Sequence, residues 1–407
     1  MDDLFTESGT PAPQRISRRT MLAASAGALG AAMLGWPRAA QALVADCPGP
    51  SPTCSGQEPI DFVRLHPAEV ATLYDFPETG ADGETVGIIG WGAPGEIGVD
   101  LLALCQYFQG MKLPVPEINI VIVPGSHQRN GAVSGELMLD TEVVGTFAPS
   151  AVINIYLTQP TAPLIAAAIQ LAVMDGCSVT TCCFGNPFDC WTKSDRKTID
   201  GALRQATQDY RVTACFASGD SGALRIAYPA ASPYALAVGG TFMPSRGVTE
   251  VWWNWPNLSR PVPYGWQASG GGVVPTEVPQ YQHKIKPMSF PVGGKTFKGR
   301  GVPDVAGLAE GNAFWEGTSA CSPLWAALIA VINAALGKRV GDIHDAIYRD
   351  PYHSGAFNSV TIGNNIPPQC AVIGTPQGYQ AQPEWDACTG LGTPNGMNLL
   401  NLLMKAK

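Results

Sequence analysis

Short apolar runs alternate with amphipathic segments from about residue 60 onward. Runs rich in Val, Ile and Ala predict buried strands, and the segments between them, with apolar residues at helical spacing, predict helices. The predicted strands are 86–90, 119–123, 152–156, 178–183, 212–217 and 235–238, and the predicted helices are 61–74, 101–109, 135–146, 163–174, 198–210 and 324–335. This alternation is typical of an α/β fold with a mostly parallel sheet and helices on both faces. Two segments rich in Gly, Pro and aromatic residues, 252–282 and 351–384, predict long ordered loops.

The N-terminal segment 1–42 predicts a twin-arginine signal peptide. A Ser-Arg-Arg-Thr pattern at 17–20 precedes an uncharged stretch of Ala, Gly and Leu, and Ala40-Gln41-Ala42 offers a cleavage site. The apolar stretch is shorter than the ~20 residues of a spanning helix, so we expect no stable membrane anchor. We expect export to the periplasm or the extracellular space, a linker at 43–59 and one large domain at 60–407.

Composition narrows the function classes. Hydrophobic residues make up 45% of the chain and charged residues 14%, which permits a large core. The net charge is −8 and no basic block lies outside the signal, which argues against a nucleic-acid partner.

Eleven cysteines indicate an oxidising compartment. Cys47 and Cys54 flank a tether and can close a small loop, and Cys370 and Cys388 can staple another. Cys215 and Cys321 lie in apolar segments and are expected to be buried thiols. The sequence alone does not fix the pairing.

A Gly-Thr-Ser-Ala turn at 317–320 opens the apolar segment 324–335. Small residues let a substrate carbonyl approach, and a helix N-terminus offers backbone donors to developing negative charge. The turn therefore predicts that Ser319 is a nucleophile. None of the five histidines lies in a His-Gly-Thr setting, so a carboxylate must activate Ser319.

Glu136 and Asp140 are a candidate pair of catalytic carboxylates. Residues four apart on a helix lie on one face, and their neighbours Leu137, Met138 and Val143 are apolar. Two close carboxylates in low dielectric do not both ionise easily, so such a pair shares a proton. The alternative is a solvated acidic helix face, which this spacing more often indicates when taken alone.

Asp220 follows the predicted strand 212–217 in an Ala-Ser-Gly-Asp-Ser-Gly stretch. Loops at the carboxyl ends of parallel strands are where ligands bind. A protonated aspartic acid there can donate a hydrogen bond to an oxyanion. The alternative is a turn or N-cap residue.

Together these segments resemble the sedolisin family of serine-carboxyl peptidases in its kumamolisin-like form. The resemblance covers about residues 60 to 407 and rests on motifs in family order. They are Gly-Glu-x-x-Leu-Asp-x-Glu at 135–142, the Asp220 stretch, Ala-Val-Gly-Gly-Thr at 237–241, Ser-Gly-Gly-Gly at 269–272, Pro-Gln-Tyr-Gln at 279–282, Arg-Gly-Val-Pro-Asp-Val at 300–305, the Ser319 turn, and 385–392.

The resemblance implies a subtilisin-like three-layer fold with a sheet of about seven strands covered by helices on both faces. It also implies that Ser319 is the nucleophile and Glu136 its general base. Asp140 would orient Glu136, and Asp220 would be the protonated oxyanion donor.

Two positions depart from the family near these residues. The glutamate of an early Ile-Ile-Glu-Leu-Gly strand end is replaced by Gly90, and the tryptophan of a Ser-Trp-Gly stretch is replaced by Phe184. Both belong to an outer hydrogen-bond network in kumamolisin-like members. Their loss is expected to change the tuning of Glu136 rather than its presence.

The family's calcium loop is also altered. Its Phe-Asn-Asp-Ile becomes Phe-Asn-Ser-Val at 357–360, and its Gly-x-Gly-x-Asp becomes Gln-Pro-Glu-Trp-Asp at 382–386. Asp386 and the Val360 carbonyl remain as Ca²⁺ ligands, with the carbonyls of Gln382 and Glu384. Losing one carboxylate is expected to weaken calcium binding.

These observations predict an exported, monomeric peptidase that hydrolyses peptides or unfolded proteins at acidic pH, as an endopeptidase or a tripeptidyl-type peptidase. Family precursors carry a large prosegment, and we expect none between 42 and 60. One alternative is a weak or inactive peptidase-fold scaffold that binds peptides or proteins. A second is a glycosidase that uses the carboxylate pair, with aromatic platforms from Trp252, Trp253 and Trp255.

Overall fold

The computed structural model describes residues 65–93, 95, 97–251, 253–254, 267–285, 298–310, 315–366 and 378–406. All of them belong to the unit Cys47–Lys407. The predicted signal peptide, the linker 43–59, and the cysteines Cys47, Cys54 and Cys370 lie outside the described residues.

One large sheet is built from the short apolar runs. Its strands are β1 (Thr85–Trp91), β2 (Ile118–Ile122), β3 (Val152–Thr158), β4 (Val179–Cys182), β5 (Thr213–Ala217), β6 (Leu236–Ser245), β7 (Val248–Val251) and β8 (Val305–Glu310). Seven of them pair in parallel in the order β8-β6-β5-β4-β1-β3-β2, and β7 pairs antiparallel with β6. Strands β1, β3, β4 and β5 are almost wholly buried, because helices cover both faces of the sheet.

Helices cover the sheet on two sides. They are α1 (Pro67–Leu73), α2 (Leu101–Gly110), α3 (Gly135–Phe147), α4 (Ala162–Met174), α5 (Lys193–Arg204), α6 (Thr318–Leu336), α7 (His344–Ile347) and α8 (Gly396–Lys405). The apolar faces of α3 and α6 contribute to one hydrophobic cluster, and those of α4 and α5 contribute to a second. The predicted three-layer α/β architecture is confirmed.

Helix α6 is the centre of the larger cluster. By length and composition it could cross a membrane, but 83% of its apolar window is buried inside the fold. Its apolar sequence therefore reflects its position in the protein core. A left-handed Gly337 (φ +61°) ends the helix, as is common at helix C-termini.

Short antiparallel ribbons lie outside the main sheet, and three of the four below involve residues within or beside the two predicted loops. They pair Asn186–Pro187 with Ala227–Tyr228, Trp253–Asn254 with Gln267–Ala268, Gly272–Val274 with Arg300–Val302, and Phe357–Asn358 with Thr393–Pro394. The loops are therefore anchored to the body of the fold by backbone hydrogen bonds.

All six predicted strands are confirmed, most with small shifts of their ends; the strand predicted at 235–238 extends to Ser245. The structure adds β7, β8, α7 and α8, which the sequence pattern did not predict. Helix α1 begins at Pro67 because His66 caps it: its Nδ1 accepts from the Ala68 amide at 3.3 Å, and the Glu69 carboxylate accepts from the His66 amide at 2.8 Å.

The cysteine predictions have mixed outcomes. Cys215 and Cys321 are buried free thiols, as expected. Cys388 is also a buried free thiol, so the proposed staple with Cys370 is wrong. The Cys388 thiol instead donates to the Tyr379 carbonyl at 3.2 Å.

Candidate active site

The four predicted catalytic residues converge at one edge of the sheet. Asp220 lies just beyond the carboxyl end of β5, and Cys183 directly follows β4. Ser319 and Glu136 each occupy the second position of a helix, α6 and α3 respectively. Strand ends and helix starts meet at this edge because every crossover between parallel strands brings the chain back in the same direction.

Gly317 and Asp220 shape the start of α6. Gly317 has a φ of +86°, which a residue with a side chain rarely adopts, and a Cβ there would lie 2.9 Å from Oδ2 of Asp220. Oδ1 of Asp220 accepts hydrogen bonds from the Thr318 amide at 2.9 Å and the Thr318 hydroxyl at 2.7 Å. Asp220 therefore caps α6 from a distant loop and is held next to Ser319.

The environment of Asp220 favours its protonated form. Burial raises its pKa above the usual value, and the hydrogen bonds from Thr318 only partly oppose this. Since Oδ1 already accepts two hydrogen bonds, a proton on Oδ2 would point away from Thr318. The alternative, a turn or cap residue, agrees with the contacts of Asp220 with α6, but capping does not account for its raised pKa.

Glu136 and Asp140 are not on a solvated face. Asp140 is 0% exposed, and neither of its carboxylate oxygens has a hydrogen-bond partner; Oε1 of Glu136 is likewise buried and unpartnered. Burial raises the pKa of Glu136 to about 7, while the Ser319 hydroxyl lowers it and the charge of Asp220 raises it further. Burial and the charge of Glu136 raise the pKa of Asp140. The pair therefore keeps a proton well above the usual range of carboxyl groups.

Apolar side chains fill the space of the missing outer network. A Cβ on Gly90 would lie 2.5 Å from Cδ2 of Leu137 and 3.2 Å from the ring of Phe184. The Phe184 ring in turn packs on Trp91 with their centroids 5.7 Å apart. A side chain at position 90 therefore cannot enter this space without moving Leu137.

Cys183 is a neighbour of the pair that the motif analysis did not identify as part of the site. Ligand atoms of Cys183, Glu136 and Asp140 all lie within 4.8 Å of one another. The Cys183 thiol donates to the Ser319 carbonyl at 3.4 Å. That carbonyl is available because its helical donor would be the amide of Pro323, which has no N–H. A cysteine directly after a strand that ends at the predicted site was the available signal.

The histidines of the described chain are engaged or exposed away from Ser319. His127 is exposed, and its amide donates to Oε1 of Gln159 at 3.1 Å, while four other rings are bonded to groups elsewhere. These are His66 at the start of α1, His283 beside the Val278 carbonyl, His344 between Asp342 and Asp304, and His353 beside Asp350. The expectation of a carboxylate rather than an imidazole beside Ser319 agrees with this arrangement.

The residues of the altered calcium loop do not fit a calcium ion. Oδ1 of Asp386 accepts from the amides of Cys388 and Thr389 at 2.7 and 2.8 Å, and Oδ2 accepts from the Gln382 amide at 3.2 Å. These local donors use the lone pairs that a hard cation needs. Glu384 keeps a φ of +72° where the family pattern has glycine, and Val360 is buried. Within the described part of the chain, Asp386 belongs to no cluster of metal-binding side chains.

The parallel sheet, with a serine at the start of its central buried helix, defines a subtilisin-like α/β fold. The solved Pseudomonas sedolisin, a serine-carboxyl proteinase complexed with two molecules of pseudo-iodotyrostatin, has this fold. It aligns with a TM-score of 0.68 and 22% identity over 85% of this chain and 99% of that one. No family model matches the chain.

Two peptidases are also similar to the chain in sequence. Kumamolisin from Bacillus sp. (strain MN-32) is 36% identical over 374 residues, which are 83% of this chain and 63% of that protein. Human tripeptidyl-peptidase 1 is 30% identical over 266 residues, 56% of this chain and 43% of that protein. The chain thus spans less than two thirds of the length of these relatives. In sequence the chain is similar to these peptidases, and in fold it is similar to the Pseudomonas sedolisin.

Proposed function

We propose that this protein is an exported serine-carboxyl peptidase that hydrolyses peptide bonds in mildly acidic surroundings. Ser319 is the nucleophile, Glu136 its general base, Asp140 the neighbour that holds Glu136, and Asp220 the oxyanion donor. The observation that carries the proposal is the convergence of three carboxyl groups on the start of α6 beside Ser319: Asp140 is fully buried, and Glu136 and Asp220 are partly buried.

Each step conserves protons. The Ser319 oxygen attacks the carbonyl carbon of the peptide while Glu136 takes the hydroxyl proton. The oxyanion that forms accepts a hydrogen bond from the protonated carboxyl of Asp220. Glu136 then gives its proton to the leaving amine, and water repeats the sequence on the acyl-enzyme. Asp140 stays protonated throughout and can donate a hydrogen bond to the ionised Glu136.

The active form needs Glu136 ionised and Asp220 protonated at the same time. The pKa of Glu136 is raised to about 7, and that of Asp220 is raised from its usual value. The population of this form is greatest between the two pKa values, so we expect a bell-shaped kcat/KM profile. In Asp220→Asn, the residue at 220 cannot ionise. This variant is expected to lose about 10²–10³ in rate, together with the limb of the profile that Asp220 produces.

The test is hydrolysis of an unfolded protein at mildly acidic pH, with products identified by mass. Ser319→Ala should reduce the rate by at least about 10⁴-fold. Equal rates for the wild type and Ser319→Ala would contradict the proposal. The product masses also distinguish internal cleavage from release of N-terminal tripeptides, which the name of human tripeptidyl-peptidase 1 suggests.

A second candidate function is a peptide-binding scaffold with little or no activity. The unpartnered carboxyl of Asp140 and the apolar filling around Gly90 favour it, because the outer polar support of Glu136 is gone. A scaffold would bind an unfolded peptide with the same affinity in the wild type and in Ser319→Ala and would cleave it in neither. Fluorescence anisotropy of a labelled peptide, followed over time, separates binding from cleavage.

We also propose export by the twin-arginine route, supported by the pattern around Arg18 and Arg19. Replacing both arginines with lysine should retain the protein inside the cell. The control is the same double replacement at Arg204 and Arg246, two exposed arginines outside the signal, which should not change its location. Cell fractionation followed by immunoblotting measures both.

A further inference from the structure

Three potential metal ligands from two separate elements meet beside Ser319. Glu136 and Asp140 are on α3, and Cys183 follows β4. Their ligand atoms all lie within 4.8 Å of one another, and no other such group occurs in the described ranges of the chain. The proposed peptidase chemistry uses the two carboxyls but gives no role to the thiol.

The polar neighbours of the Asp140 carboxyl are the other two members of the cluster, Glu136 and Cys183. The Asp140 carboxyl is completely buried, and both of its oxygens lack a hydrogen-bond partner, as does Oε1 of Glu136. Native proteins rarely leave buried polar atoms unsatisfied, and each such group in a native structure calls for an explanation such as a missing ion. Three such oxygens close together would be stabilised by a bound cation or by protons.

The thiol is easily released from its present contact. Its hydrogen bond to the Ser319 carbonyl is a long sulfur contact of 3.4 Å, and Cys183 retains partial exposure. Glu136 is partly exposed as well, so an ion could reach the cluster past these two side chains. Rotation about the short side chain of Cys183 is enough to turn its sulfur toward the carboxyls.

The spacing and chemistry fit a borderline-soft divalent cation. With Zn–S near 2.3 Å and Zn–O near 2.0–2.2 Å, tetrahedral ligand atoms are about 3.4–3.6 Å apart. The observed group needs to contract by about 1 Å, which the flexible side chain of Glu136 allows. A thiolate ligand disfavours hard cations such as Ca²⁺ and Mg²⁺. A water molecule would complete the tetrahedron.

We propose that Cys183, Glu136 and Asp140 form a binding site for Zn²⁺ or a similar soft divalent cation. Binding transfers the thiol proton and the proton shared by the carboxyls to the solvent, and three metal–ligand bonds replace them. The inhibitory consequence rests on the proposed function: a cation held here occupies the general base, so Ser319 cannot be activated. The binding itself does not depend on that function.

The test is titration of the untagged full chain with Co²⁺, a spectroscopic substitute for Zn²⁺. We expect one Co²⁺ per chain and the near-ultraviolet absorption of a thiolate–cobalt bond, both displaced by Zn²⁺. Cys183→Ser should abolish the absorption and weaken Zn²⁺ binding by at least about 100-fold, since even an outer-shell partner contributes 10–100-fold. Cys105→Ser removes a free thiol on α2, outside the cluster, and should leave both signals intact.

A second variant tests whether weaker metal binding could come from misfolding rather than from the loss of a ligand. Asp140→Asn keeps the shape of the side chain, and it should retain the thermal unfolding midpoint within a few degrees while binding Zn²⁺ more weakly. Absence of saturable Co²⁺ binding in the wild type, or equal binding in Cys183→Ser, would overturn the proposed site.

Peptidase assays separate this inference from the proposed function. Inhibition of the wild type by micromolar Zn²⁺ that is lost in Cys183→Ser supports both. Cobalt binding through Cys183 in a protein with no peptidase activity supports the metal site and contradicts the proposed function. A peptidase that shows no cobalt absorption supports the proposed function and contradicts the metal site.

Discussion

Asp140 and Asp304 are both excluded from solvent, but their surroundings are opposite. Asp140 has no hydrogen-bond partner and has a second acid, Glu136, as its neighbour. Asp304 accepts hydrogen bonds from Arg300 at 2.7 and 2.5 Å, from the Tyr348 hydroxyl at 2.8 Å and from the Ala237 amide at 2.8 Å.

The pKa values of the two acids follow from these contacts. Burial opposes ionisation of Asp304, but Arg300 and His344 outweigh it and hold its pKa well below the usual value. Burial likewise opposes a charge on His344, yet Asp342 and Asp304 raise its pKa to about 9. Asp304 is therefore an ionised anchor, while the Glu136–Asp140 pair is kept protonated. The buried acid without partners, Asp140, lies at the proposed active site, and the buried acid with partners, Asp304, lies in a cluster that stabilises the fold.

The largest expected effect is on the Asp304 cluster. Arg300→Met leaves the buried Asp304 carboxylate without its main counter-charge, and we expect the free energy of unfolding to fall by about 3–5 kcal/mol. Denaturant titration followed by circular dichroism measures this. Arg204→Met is the matched control because Arg204 forms only an exposed pair with Asp209 at 3.9 Å, and it should change stability by less than about 0.5 kcal/mol. If Arg300→Met lowered the free energy of unfolding only slightly, Asp304 and Asp140 would not differ in how much their surroundings stabilise the protein.

A smaller effect of opposite sign is expected at Asp140. Asp140→Leu replaces an unsatisfied buried acid with an apolar side chain of similar size, and we expect stability at neutral pH to rise by about 1–2 kcal/mol. The same substitution at Asp304 should destabilise the protein. Peptidase activity should fall in Asp140→Leu, because Glu136 loses its neighbour. If both substitutions destabilise the protein equally, the two sites are energetically alike.

A further expected effect is a dependence of stability on pH. An acid whose pKa is higher in the folded protein than in the unfolded chain lowers stability. This loss is absent below the unfolded-state pKa and complete above the folded-state pKa, which for Glu136 are 4.5 and about 7. Stability from His344 is fully present below 6.5 and is lost as pH rises through about 9. Lowered pKa values at Asp304 and Asp342 contribute stability that is lost only in strong acid.

Stability should therefore be highest in mild acid, and two variants separate the contributions. Asp140→Leu should flatten the decline between about pH 5 and 7, and His344→Gln the decline toward pH 9. Thermal unfolding midpoints across this range measure both. A wild-type midpoint that rises from mild acid to pH 9 would show that neither group titrates as described.

The sequence pointed to the candidate catalytic residues but not to the buried contacts that surround them and stabilise the fold. Ser319, Glu136 and Asp220 were found because short motifs place them at strand ends and helix starts. The Asp304 cluster was missed because His344 and Tyr348 approach Asp304 only through tertiary packing, across about 40 residues of chain. Strand β8 was missed because Gly307 interrupts its apolar run and Glu310 ends it. Position 90 was recognised as altered, but only the fold shows that Leu137 fills its space.

The contact between Gly90 and Leu137 constrains how this site can change. Introducing a glutamate at 90 alone places its first carbon 2.5 Å from Leu137, so the substitution is expected to be harmful by itself. Trimming Leu137 alone opens a cavity, which is harmful too. Only the combination provides room for a glutamate side chain at position 90. The two positions are therefore expected to be strongly epistatic, and any route to the glutamate-containing arrangement has to change them together.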